Sequence, residues 1–85
     1  MKTIWKYTLE PDSTIDMPIG AEVLAVDEQR GEPQVWALVD PSANTEKRRF
    51  VVYGTGQTMD NNPGRYIGTL QLLGGTYVFH VFEIV

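Results

Sequence analysis

The chain has 85 residues, eleven acidic against seven basic side chains, a net charge of −4, no cysteine and one histidine. That composition leaves no disulfide staple and no thiolate or histidine-rich metal site, and the net charge argues against non-specific duplex binding, which needs several cations on one face. One domain of this length buries only about 60–65% of the surface its unfolded chain exposes, so tight packing or self-association must supply its remaining stability.

Thr3 to Leu9, TIWKYTL, sets Trp5, Tyr7 and Leu9 against Thr3 and Lys6 and reads as a half-buried strand. Glu10 to Ser13 is a turn built on Pro11, and Thr14 to Met17 is a short edge strand that Pro18 ends by withholding a donor. Glu22 to Asp40 then forms the central hairpin. Its arms are Val23–Val26 and Val35–Val39, joined by Gln29 to Pro33, where Gly31 supplies positive φ and Pro33 opens the returning strand. That returning arm has Trp36 and Leu38 on one face and Val35, Ala37 and Val39 on the other, so both faces need cover.

Asp40 to Glu46 is turn-rich, with room for one helical turn from Pro41 to Glu46. Lys47-Arg48-Arg49 reads as the solvated entrance to a strand at Phe50–Tyr53. Gly54 to Arg65 is the longest irregular segment, of a length that is usually functional or mobile. Tyr66 to Leu72 is a strand interrupted by Gly68, which marks a bulge or a close approach of another chain or ligand. A primed turn at Leu73-Gly74-Gly75 leads to the last strand, Thr76–Ile84, with Tyr77, Phe79 and Val81 opposed to Val78, His80 and Phe82.

Seven short strands with regular turn signals and no amphipathic helix predict one all-β domain over residues 1–85, a small sandwich or barrel of mainly antiparallel strands. No charged and apolar leader and no apolar run of bilayer length is present, so the expected location is cytosolic, without a membrane partner.

Chemistry-bearing patterns are sparse. Gly54-Thr55-Gly56 lacks the lysine of a phosphate loop and the third glycine of a dinucleotide fingerprint, and reads as a strand-end turn. His80, without a cysteine or a serine elbow, has no visible nucleophile or orienting partner, so it reads as structural and no catalytic residue is assigned. Carboxylates such as Asp12, Glu28, Glu32 and Glu46 belong to solvated turns and faces. The aromatic set (Trp5, Tyr7, Trp36, Phe50, Tyr53, Tyr66, Tyr77, Phe79, Phe82) suits a core plus a binding surface, so binding is favoured over catalysis and no cofactor or metal is expected.

The ordered segments MPIGAEVLAVDEQ, VWALVDP, RFVVYGTGQ, RYIGTLQ and YVFHVFE make the chain resemble a family of short phage and prophage proteins that carry a domain of unknown function. The resemblance implies a small accessory protein made in a bacterial host cytoplasm and carries no established activity. With it the expected function is a non-catalytic binder that inhibits or sequesters a host component, anti-phage defences included. Two alternatives stand beside it: an oligomeric sponge for a small anionic, nucleotide-like ligand, and a structural assembly protein. The candidate ligand-binding residues are Tyr53, Thr55, Gln57, Arg65, Tyr66 and His80, and the expected partners are a host protein or a small anion, with a homo-oligomer as the expected state.

Overall fold

The computed structural model describes residues 1–85. Seven strands follow in order: β1 (Thr3–Thr8), β2 (Asp12–Pro18), β3 (Glu22–Gln29), β4 (Glu32–Val39), β5 (Thr45–Gly54), β6 (Arg65–Leu72) and β7 (Tyr77–Ile84), with a single 3₁₀ turn at Leu73–Gly75. All pair antiparallel, in a three-stranded sheet β1-β4-β3 and a four-stranded sheet β2-β5-β7-β6. Side-chain alternation turns Val35, Ala37 and Val39 of the first sheet toward Met17, Phe50, Leu70 and Val81 of the second, and these residues form one buried cluster. The fold is therefore all-β, as expected, and of the two architectures it is the sandwich. Each large apolar side chain so buried contributes about 1.5–3 kcal/mol relative to exposure.

The central hairpin closes on Arg30 and Gly31, both at positive φ (55° and 80°), the two-residue primed turn that matches strand twist. Its two faces separate as the sequence requires. Val35, Ala37 and Val39 lie under the other sheet, whereas Trp36 and Leu38 lie half-buried on the outer face beside Ile4, which is 54% exposed.

Three local expectations are corrected. The segment after Asp40 holds no helical turn: the Asp40 carboxylate accepts from the Ser42 N–H and hydroxyl, and the Asp40 carbonyl accepts the Ala43 N–H, which closes a tight turn instead. The β6–β7 connection is not a two-residue Gly-Gly turn, because Leu73, Gly74 and Gly75 all take positive φ and Thr76 N–H closes on Leu73 O. β5 begins at Thr45, so Lys47, Arg48 and Arg49 are strand residues and alternate between faces rather than preceding the strand.

Strand direction explains the long segment from residue 55 to residue 64. Gly54 ends β5 opposite Phe79, and Arg65 starts β6 opposite Glu83, so β5 and β6 run parallel with β7 between them and the connection must cross β7. It does so over the outer face: Tyr53, on that face, is only 8% exposed, and the charge of Asp60 reaches Arg49 there. Gly64, at φ 94°, lies against the Glu83 carbonyl, where a Cβ would overlap the backbone. On the far side the two sheets meet at β3 and β6. A Cβ on Gly68 would overlap Val26 Cγ1 of β3, so the expected close approach at Gly68 is made by the opposite sheet of the same chain, beside the expected bulge between Tyr66 and Gly68.

Because Val26 is β-branched and stiff, Gly68→Ala is expected to destabilise the fold by about 1–3 kcal/mol. Val26→Ala, destabilising in the native chain, is expected to become neutral or stabilising in the Gly68→Ala background. Urea midpoints of the four proteins check the coupling.

Candidate functional site

The outer face of β5, β6 and β7 gathers most of the sequence-predicted residues. Tyr53, His80 and Thr69 lie side by side across the three strands, and Val51, Phe82 and Tyr66 form the next row. Phe82 is held edge-on between Tyr53 (ring centroids 5.9 Å apart) and Tyr66 (5.5 Å). The crossover from residue 55 to 64 shelters the β5 side of this face, and the β6 side stays open, with Tyr66 55% exposed.

A chain of hydrogen bonds runs through the polar members. Tyr66 Oη lies 2.5 Å from Thr69 Oγ1, which lies 3.0 Å from His80 Nδ1, and His80 Nε2 lies 2.7 Å from Thr55 Oγ1. At the far end Thr55 donates its N–H to the Val78 carbonyl (3.1 Å), and its hydroxyl lies between that carbonyl (3.2 Å) and His80 Nε2. The chain ends at the exposed Tyr66 hydroxyl.

This arrangement is suited to recognition. Both ring nitrogens of His80 face threonine hydroxyls rather than a carboxylate that would orient the ring as a base. No three His, Asp or Glu side chains come together in metal-binding geometry.

The other two predicted residues lie elsewhere. Gln57 folds back on its own turn, its Oε1 accepting the Gly54 N–H at 3.0 Å, and lines an apolar recess of about 300 Å³ with Leu9, Pro33, Val52, Leu72 and Phe79. Arg65 stays largely exposed at the rim of the sandwich, where Nη2 pairs with Glu83 Oε1 at 2.7 Å. Thr55, Tyr53, Tyr66 and His80 are thus brought together, and Gln57 and Arg65 are not.

Arg65 leads to the feature that sequence reasoning missed. Glu83, 4% exposed, lies on the inner face of β7 opposite Phe50. Arg48 of β5 binds it through Nε (2.6 Å) and Nη2 (2.9 Å) and donates Nη1 to the Ala21 carbonyl (2.5 Å), where the chain enters the other sheet. The Arg48 side chain is only 10% exposed and its guanidinium lies 6.0 Å from the Phe50 ring, so the expectation of a wholly solvated basic run fails at its middle residue. Lys47 and Arg49 do face solvent and pair with Asp16 and Asp12 of the edge strand. Arg48 and Arg65 also line a recess of about 330 Å³ with Glu22, Val23, Tyr66 and Ile67.

The carboxylate of Glu83 is held below its ordinary range, chiefly by the Arg48 hydrogen bonds with a further contribution from Arg65, against the opposing effect of burial. The Tyr7 hydroxyl is buried without a hydrogen-bond partner, and burial raises its pKa while the Arg48 charge lowers it.

The chain belongs to the family defined by a domain of unknown function, DUF7352, whose model matches residues 1–85. No curated protein and no solved structure matches it.

Because the folded pKa of Glu83 is depressed, its contribution to stability is complete above the unfolded glutamate pKa and is lost as pH falls through the folded value. Glu83→Gln is expected to cost about 3–5 kcal/mol near neutral pH, since it strands a buried guanidinium. Asp12 and Asp40 are depressed in the same direction, so the difference between wild-type and Glu83→Gln stability on acidification isolates the Glu83 share, and that difference should shrink as pH falls. Denaturant midpoints from neutral to acid pH check it.

Proposed function

We propose that this member of the DUF7352 family is a phage-encoded accessory protein of the host bacterial cytoplasm, a non-catalytic binder that holds a host protein against the outer face of β5, β6 and β7 and so inhibits or sequesters it. The observation that carries this reading is the open β6 side of this face, where Tyr66 and Thr69 lie beside Phe82 and His80 and aromatic surface is combined with a hydrogen-bond chain ending at the exposed Tyr66 hydroxyl. Tyrosine and its aromatic neighbours are the side chains that carry most binding energy in protein interfaces, and a flat sheet face accommodates a protein surface better than it encloses a small molecule. A polar group of the partner would complete the hydrogen bonding of the Tyr66 hydroxyl. The phage origin rests on the resemblance carried by the ordered segments from MPIGAEVLAVDEQ to YVFHVFE.

A sponge for a small anion has less support. It needs a free cation beside an aromatic ring, and the two arginines that line the recess next to Tyr66 are already answered by Glu83, with Glu22 at the same wall.

Affinity capture from a lysate of the bacterial host, followed by mass spectrometry, tests the reading. The wild-type chain should retain a protein in stoichiometric amount, and Tyr66→Ala, which leaves the core untouched, should weaken retention at least tenfold, about 1.4 kcal/mol or more. Equal retention by Tyr66→Ala would sink the assignment of this face. A nucleotide-sized mass carried by the purified protein would favour the sponge instead.

A further inference from the structure

The sandwich has four edge strands, and three of them are blocked. β3 and β6 lie against one another, each carries a bulge, and Gly68 sits under Val26. β2 ends in Pro18 and carries exposed, ion-paired Asp12 and Asp16, the combination of proline and charge that keeps an edge from recruiting a further strand. β1 has no such device. Its six residues, TIWKYT, pair with β4 in unbroken register without a proline, an acidic residue or a bulge. Its only charge, Lys6, is folded back across the outer face, where Nζ donates to Gln29 Oε1 of β3.

Pairing geometry identifies the groups left free. Leu9 N–H donates to Pro33 O, so in the same register the hydrogen-bonded pairs recur at Tyr7/Val35, Trp5/Ala37 and Thr3/Val39. The N–H and C=O groups of Ile4, Lys6 and Thr8 therefore point away from the sheet. Trp5 lies on the inward side of β1 with Ala37 and is still 41% exposed.

We propose that this edge takes a second copy of the chain, β1 pairing antiparallel with the partner's β1 about a twofold axis at Trp5 to give a six-stranded sheet. The edge is self-complementary in that one register. Centred on Trp5, Ile4 exchanges hydrogen bonds with the partner's Lys6, and Lys2 lies opposite the partner's Thr8. The two Trp5 side chains then meet in a non-hydrogen-bonded pair, where cross-strand side chains come closest. A register centred on Lys6 sets two Lys6 ammonium groups directly opposite, and one centred on Ile4 sets Lys6 opposite Lys2, so both bring like charges together. One centred on Tyr7 needs Glu10, which has already left this sheet, since Pro11 O accepts the Val52 N–H in the other. The dimer does not depend on what the β5-β6-β7 face binds.

Sedimentation equilibrium of the purified full chain from about 1 μM to 1 mM, the range in which a small interface dissociates, tests the association. A reversible monomer–dimer equilibrium is expected. Lys6→Pro removes an outward N–H and no backbone bond within the sheet, losing only the side-chain contact with Gln29, so it should raise the dissociation constant at least tenfold while unfolding stays cooperative. Cross-linking tests the register and does not rely on that variant folding. The chain has no cysteine of its own, so Trp5→Cys under mild oxidation should give a disulfide-linked dimer, and Thr8→Cys should not. Sedimentation as a monomer throughout, or cross-linking by Thr8→Cys as fast as by Trp5→Cys, would overturn the proposal.

Discussion

One buried carboxylate fixes the four-stranded sheet. Glu83 lies on the inward face of β7 because strand alternation that sends His80 and Phe82 outward must send Phe79, Val81 and Glu83 inward. An isolated carboxylate in that position would be prohibitively unfavourable. It is tolerated because the neighbours on both sides, Arg48 on β5 and Arg65 on β6, each deliver a guanidinium to it. A one-residue slip of β7 would carry Glu83 to solvent, strand both arginines and bring His80 and Phe82 into the core. The ion cluster contributes specificity of register more than net stability, since buried pairs roughly offset their own desolvation. The outer face owes its arrangement to it.

The same cluster reaches across the sandwich. Arg48 donates to the Ala21 carbonyl, the point at which the chain passes from β2 toward β3, and at the neighbouring corner Gly68 lets Val26 of β3 close on β6. The two sheets are thus joined along the β3–β6 side by one polar and one steric contact. Near it the crossover from β5 to β6 passes over β7 and is pinned by Gly64 against the Glu83 carbonyl. The side-chain end of Glu83 therefore organises the interior while its backbone end seats the crossover that shelters half of the outer face.

What could be read in the sequence follows from which signals are local. Alternation and turn residues are local, so the strands, the Arg30-Gly31 turn and the edge position of β2 were legible. Strand ends were shorter than observed because charged residues such as Glu22, Asp27 and Lys47 look like loop and are strand. The faces of β7 were legible too, and they placed His80 with Phe82. Ion pairing is not local. Glu83 is 35 positions from Arg48, and nothing in a terminal VFEI marks its glutamate as buried. Thr69 was within reach, since a hairpin centred on Gly74-Gly75 pairs it with His80, and the observed four-residue connection keeps that register. The hydrogen-bonding groups that single out Arg65 and Gln57 in the sequence are engaged by their own neighbours, Glu83 and Gly54.

The geometry of the two sheets bears on how so small a face could hold a partner. The twofold axis of an antiparallel strand pair is perpendicular to the sheet, so joining two β1-β4-β3 sheets edge to edge leaves both β2-β5-β7-β6 layers on the same side. The two open rows of Tyr66 and His80 then face in one direction. If both proposals hold, binding at the first row would make binding at the second effectively intramolecular, and avidity gained in this way can exceed the affinity of either row alone by about 10²–10⁴ when the spacing fits. A single row, with half of its face sheltered by the crossover, exposes little surface for tight binding. In the proposed dimer, duplication through an edge that carries no guard would supply the missing strength without a larger domain, and the two sheets would take separate tasks, one for assembly and one for recognition.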